Sequence, residues 1–118
     1  MFRTLSIFFI FLLLNVSSVS SSNFNYGSGY AAKSVLASQS LINAMDKVDN
    51  RIYAVGEHGI ILYSDDFGDS WTQAESVPYT STLTDISCSS KKSCWVTGHD
   101  ATILHSNDHG VTWIKQYE

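Results

Sequence analysis

Arginine occurs twice in this 118-residue chain, at Arg3 and Arg51, proline once, at Pro78, and cysteine twice, at Cys88 and Cys94. Each scarcity removes a class of function. Seven Lys and Arg stand against eleven Asp and Glu, and only Lys91-Lys92 forms a basic pair, placed in a hairpin turn. Nucleic acid is excluded as a partner, because duplex binding draws most of its affinity from basic side chains on phosphates. The apolar run Ile7 to Leu14 is eight residues long, far short of the roughly 20 that a spanning helix needs. There is no G-x-S-x-G elbow, no phosphate-cradling glycine loop before a helix, and no H-E-x-x-H. Two cysteines with no second Cys or His pair at ligand spacing give poor support to a zinc site. No cofactor is expected.

Arg3, the short apolar run and the small residues Ser17 to Ser22 read together as an export signal over 1–22, with cleavage after Ser20, Ser21 or Ser22. No cysteine follows the run to carry a lipid, and the only N-x-S/T sequon, Asn15, falls inside the segment to be removed. The mature chain is expected to be soluble, unglycosylated and periplasmic or extracellular. Roughly 96 residues then remain for folding, with a formal charge of about −5 (six basic residues against eleven acidic). A domain of that size buries only about two-thirds of its unfolded surface, so any missing neighbour is felt strongly.

What the chain does contain is a repeat. Ser64-Asp65-Asp66-Phe67-Gly68-Asp69-Ser70-Trp71 returns 42 residues later as Ser106-Asn107-Asp108-His109-Gly110-Val111-Thr112-Trp113, and both fit S-x-D-x-G-x-[ST]-W. Ser and Asp side chains bond turn backbone, Gly supplies positive φ, and Trp anchors a following strand. From Leu41 onward the halves align without a gap, with Leu41/Leu83, Gly56/Gly98, Ile61/Ile103 and Leu62/Leu104 identical beyond the motif. A period of 40 to 45 residues with β-rich segments is the length of a propeller blade. The expectation is an all-β chain with an irregular lead-in over 23–40, a first blade with its connector over 41–82 and a second blade over 83–118. Residues 23–40 offer no clean strand or helix signal; a short helix from Ala31 to Ser40 and a packed extension covering a blade edge both fit.

Each unit parses into four short strands. In the first these are about Leu41 to Asp46, Arg51 to Val55, Ile60 to Ser64 and Ser70 to Ala74. In the second they are about Leu83 to Cys88, Ser93 to Thr97, Thr102 to Ser106 and Thr112 to Gln116, after a connector Glu75 to Thr82. Tyr53, Trp95, Trp71 and Trp113 read as core. Cys88 and Cys94 face each other across a predicted hairpin, where cross-strand Cα separations of about 4.5 to 5.5 Å suit a disulfide; two reduced thiols and a metal pair are the alternatives. The candidate binding residues are Glu57 and His58 in one loop between second and third strands and His99 and Asp100 in the other. An acid beside an imidazole can move protons or hold a metal, although polar residues in tight turns are ordinary. Asp66 and Asp108 read as turn stabilisers, since calcium would need more oxygen ligands at regular spacing.

The motif resembles the Asp box of sialidase-type (BNR) repeats, which marks the turn between the third and fourth strands of a propeller blade. Ser64, Asp66, Gly68, Ser70 and Trp71, with Ser106, Asp108, Gly110, Thr112 and Trp113, are the matching positions. The resemblance implies binding on the opposite face, where the Glu57, His58, His99 and Asp100 loops would lie. Sialidases clamp a carboxylate with three arginines, and the mature chain has Arg51 alone, so sialidase activity is not expected. The segments AVGEHGIILYSDDFGDSW and WVTGHDATILHSNDHGVTW look like the sialidase-like repeats of the photosystem II stability and assembly factor family. That resemblance implies an exported, noncatalytic propeller that binds protein clients and meets membranes only through them. A two-blade lectin that binds glycans and completes its ring as a homo-oligomer, and a fragment of a larger glycoside hydrolase, are the alternatives. Two blades do not close a ring, for which 4 to 8 are usual. A longer reading frame, an assembly of copies and a short paralogue stabilised by residues 23–40 each answer that problem.

Overall fold

The computed structural model describes residues 29–117; the expected signal segment 1–22 and the start of the lead-in lie outside them. The described residues form two four-stranded antiparallel sheets, each in simple sequential order. The first contains β1 (Ile42–Val48), β2 (Arg51–Gly56), β3 (Ile61–Ser64) and β4 (Thr72–Gln73). The second contains β5 (Leu83–Ser90), β6 (Ser93–Gly98), β7 (Ile103–Ser106) and β8 (Ile114–Tyr117). This is the all-β architecture of two propeller-type blades. Among the described residues no helix is long and apolar enough to cross a membrane.

The first hairpin of each sheet is longer than the sequence suggests. Val48 pairs with Arg51 and Ser90 with Ser93, leaving Asp49-Asn50 and Lys91-Lys92 as two-residue turns. The left-handed φ of 51° at Asp49 suits the short polar side chain found there. Conversely β4 is confined to Thr72 and Gln73: the Ala74 amide still bonds the Ile61 carbonyl at 2.9 Å, and from Glu75, whose amide bonds the Val111 carbonyl at 2.7 Å, the connector crosses toward the second blade.

The two sheets stack face to face through a common core. Tyr53, Val55 and Ile61 from the first meet Leu83, Ile86, Cys94, Val96, Leu104 and Trp113 from the second, with Ala74, Val77 and Tyr79 of the connector filling the seam. Alternation along β2 sends Tyr53 and Val55 toward the second blade and Ala54 away from it. The connector reinforces the stack through a parallel bridge between Ser76 and Thr112 and a bond from the Trp113 amide to the Ser76 carbonyl, 2.9 Å.

The repeat is less regular in space than in sequence. Ile42 pairs with Gly56, and Leu83 pairs with Gly98, so the first strands correspond at an offset of 41 while the later strands keep 42. An irregularity between Cys88 and Ser90 restores the phase by accommodating one extra residue in β5. Leu41 and Leu83, identical in the alignment, are therefore not equivalent: Leu83 is fully buried and Leu41 is 62% exposed. A one-residue slip sends each side chain to the opposite face, which is how Cys88 comes to point into the shared core.

The lead-in is a packed extension with one 3₁₀ turn, Ala37–Gln39. Ala37 is buried against Ala54, Ile60 and Leu62, on the face of the first sheet that points away from the second. Gln73 ties this segment down, accepting from the Ser34 amide at 2.9 Å and donating to the Ala32 carbonyl at 2.8 Å. The first blade is thus covered on both faces.

Candidate functional site

The two S-x-D-x-G-x-[ST]-W turns are superimposable networks. In the first, the Ser64 hydroxyl donates to Asp66 Oδ1 at 2.7 Å and accepts from the Gly68 amide at 2.8 Å. Asp66 also accepts the Ser70 amide at 2.8 Å and the Ser70 hydroxyl. Ser106, Asp108, Gly110 and Thr112 repeat every one of these bonds in the second. Each aspartate spends its oxygens on its own turn. The Ser70 hydroxyl, then the Ser70 amide and the Ser64 hydroxyl, hold the Asp66 carboxyl down to about 2. Burial pushes Asp108 upward, but bonds from the Thr112 hydroxyl and amide and from Ser106 outweigh it and leave the carboxyl below its usual range.

The turns differ in what they touch. Gly110 lies on the ring of Tyr53, where an added Cβ would stand 2.4 Å from Tyr53 Cε1. The adjoining His109 carbonyl accepts from the Tyr53 hydroxyl at 3.0 Å and from Arg51 Nη1 at 2.8 Å. Arg51 also forks onto Asp65 through Nε at 2.8 Å and Nη2 at 2.7 Å, and its guanidinium carbon stands 4.2 Å from the centre of the Tyr63 ring. The hydrogen bond from Arg51 to Asp65 keeps the carboxyl below its ordinary value, and burial raises the Tyr53 phenol. Arg51, Tyr53, Asp65 and His109 line a cleft of about 130 Å³, edged by Val48, Asn50 and Lys91. Composition gave no sign that Arg51 is the clamp between blades. The available signal was its pairing with Asp65 and Tyr63, replaced at the repeat positions by Ser93, Asn107 and His105.

At the other end of the stack stand the loops nominated from sequence. His58 has φ 57° and Asp100 φ 58°, each in the left-handed region, and both side chains are exposed with His99. The connector threads between the loops: the Gly59 amide bonds the Ser81 carbonyl at 2.7 Å, the His99 amide bonds the Thr82 carbonyl at 3.1 Å, and the Tyr79 hydroxyl bonds the His99 carbonyl at 2.9 Å. Glu57, His58, His99 and Asp100 therefore share one end of the molecule, on a frame fixed by backbone. Among the described residues no group of three or more His, Cys, Asp and Glu is arranged to hold a metal ion.

Cys88 and Cys94 are joined in a disulfide. Its neighbourhood is shared between blades, because the Cys88 amide donates to Asp46 Oδ2 of the first blade at 2.8 Å. Trp95 corrects the sequence reading, in which it was core. It is 42% exposed and stacks on His105 with ring centroids 4.1 Å apart, on the outer face of the second blade.

The two stacked four-stranded sheets have the architecture of β-propeller blades. Solved structures give the same architecture. A structure of YCF48 from Cyanidioschyzon merolae aligns over 67% of this chain at 24% identity with a TM-score of 0.57. A structure of YCF48 bound to D1 peptide aligns over 63% at 25% identity with a TM-score of 0.54. The chain spans about a quarter of the length of each, 24% in both cases. No protein-family model and no curated protein matches the chain.

Proposed function

We propose that this chain is a noncatalytic, exported β-propeller module that binds segments of protein clients, as an assembly scaffold does. The observation that carries the proposal is its likeness to YCF48 bound to D1 peptide, a structure of the same fold holding a peptide. Under this reading the two S-x-D-x-G-x-[ST]-W turns are Asp boxes with a structural duty, and the client meets the opposite end at Glu57, His58, His99 and Asp100. The acidic balance favours a neutral or basic client segment. The Cys88–Cys94 bridge suits an oxidising compartment, which agrees with export directed by residues 1–22.

Calorimetric titration of the protein with the D1 peptide tests the proposal. Saturable binding in the micromolar range is expected, weakened several-fold by the double substitution Glu57→Ala and His99→Ala with the melting temperature unchanged. Absence of binding at millimolar peptide would end the scaffold reading. A glycan-array signal in its place would establish the lectin alternative, and glycoside hydrolysis that disappears in the double variant would make the module part of an enzyme.

A further inference from the structure

The lead-in is held along the edge of the first blade as a bound peptide would be. It starts at Gly59, where an added Cβ would stand 3.1 Å from the Ala31 Cβ, so its groove opens beside His58. There the Ala31 amide donates to the Val77 carbonyl at 2.9 Å. The buried Gln73 side chain then bonds the Ala32 carbonyl and the Ser34 amide. A carbonyl and an amide two residues apart face one way in an extended chain, so Gln73 reads main chain and not side chains.

Side-chain recognition comes from two anchors. The Lys33 ammonium donates to the Gln73 and Ala74 carbonyls at 2.8 and 3.2 Å and stands 3.5 Å from the Glu75 carboxylate. Two carbonyls and a carboxylate converging on one point select a cation. Four residues further on, Ala37 seats its methyl over Ala54, Ile60 and Leu62. Between the anchors the chain loops out into water, with Val35 98% and Leu36 58% exposed. Its larger apolar side chains therefore contribute little to docking, which rests on main-chain bonds, one cation and one methyl. At the repeat positions of Gln73 and Glu75 the second blade has Lys115 and Tyr117, so the groove belongs to the first blade.

We propose that this groove is the docking site of an extended segment of a protein client, one that carries a lysine or arginine with a small apolar residue four places later, and that the lead-in is a displaceable plug competing for it. The source of the segment rests on the protein-client reading above; the groove itself does not. Main-chain recognition by Gln73 suits many sequences, and the cation site accords with the acidic balance of the chain. The groove also opens at the Glu57 and His58 loop, so a client held at that end has a continuous path along the blade once the plug leaves.

Fluorescence anisotropy of a labelled synthetic peptide of residues 29–40, titrated with the full mature chain, tests the proposal. Lys33→Glu and, independently, Ala37→Asp in the protein loosen the plug, and each should tighten peptide binding by about 10-fold or more, because an occupied groove lowers the competent fraction. The Lys33 side chain is half-exposed, so its variant retains the fold and keeps the test decisive if Ala37→Asp does not. A peptide bearing Lys33→Glu should fail to bind the loosened chain, whereas one with serine in place of Val35 and Leu36 should bind as tightly as the original. Equal binding to the unaltered and loosened chains, capture of the charge-reversed peptide, or loss of the serine-substituted one would each overturn the proposal. Titration with the D1 peptide separates the two readings. Capture of the 29–40 peptide without any D1 binding would keep the groove and end the scaffold reading, and D1 binding indifferent to Lys33→Glu would do the reverse.

Discussion

Gly59 and Ala101 occupy the same repeat position with φ of 71° and 57°, and they predict opposite mutational outcomes. A Cβ on Gly59 would stand 2.0 Å from the Tyr79 carbonyl oxygen, so Gly59→Ala must displace the connector. It should cost about 2 kcal/mol or more, from backbone strain together with the clash. Ala101 is exposed and already bears the left-handed strain. Ala101→Gly should therefore raise stability by up to about 1 kcal/mol, measured by chemical denaturation. The carboxylates of the turns give a pH dependence of definite sign. Asp65, Asp66 and Asp108 all have folded-state values below their usual range, Asp66 near 2. Their stabilisation is fully present above the unfolded value of about 3.9 and is lost as pH falls toward the folded values. The melting temperature should stay level above about pH 5 and drop between pH 4 and 2. Asp108→Ala should flatten part of that drop and, by removing the turn bonds, cost about 1 to 2 kcal/mol at neutral pH.

Between elements, the equivalent glycines Gly68 and Gly110 separate turn geometry from docking. Both have positive φ, 89° and 77°, so alanine strains either turn. A Cβ at Gly68 meets only the Trp71 ring, at 3.5 Å, whereas at Gly110 it strikes Tyr53. Gly110→Ala should destabilise by at least about 1 kcal/mol more than Gly68→Ala, and the excess should shrink in a Tyr53→Ala background, where the obstructing ring is gone. Reducing the Cys88–Cys94 bridge, which closes a loop with a sequence separation of 6, should cost about 2 kcal/mol. The all-β class, the eight strands and the pairing of the cysteines were all legible in the sequence, because period, turn residues and strand alternation are local properties. The β5 irregularity was not. A gapless alignment hides an extra residue when the hairpin turns and later strands keep their phase, so Leu41 looked like the partner of Leu83. Trp95 was misplaced for a different reason: an apolar residue at a core phase says which way it points, and its burial depends on whether another sheet stands opposite. The Arg51 clamp escaped notice because its acceptor, the His109 carbonyl, is a backbone atom that carries no residue signature.

Across the whole molecule, the lead-in and the second blade protect the first blade from its two sides. Deleting residues 29–40 should expose Ala54, Ile60 and Leu62 and increase binding of an apolar dye, while the core between the sheets remains intact. If dye binding did not change, the capping role of Ala37 would be wrong. The two faces of the stack are thus unequal, one closed by the chain's own extension and the other open at Trp95.

The His109 carbonyl lies 56 residues beyond Tyr53 and 58 beyond Arg51, both of which grip it. On a ribosome adding about 5 to 20 residues per second, Arg51 and Tyr53 wait roughly 3 to 12 s for that acceptor to be made. During that interval the Tyr53 face is wet and its guanidinium has only Asp65 and Tyr63 to hold it. The second sheet, by contrast, meets a finished template as it emerges. The direction of synthesis therefore makes the early blade the vulnerable one, and its lead-in, translated before either sheet, is already present to shield one side of it.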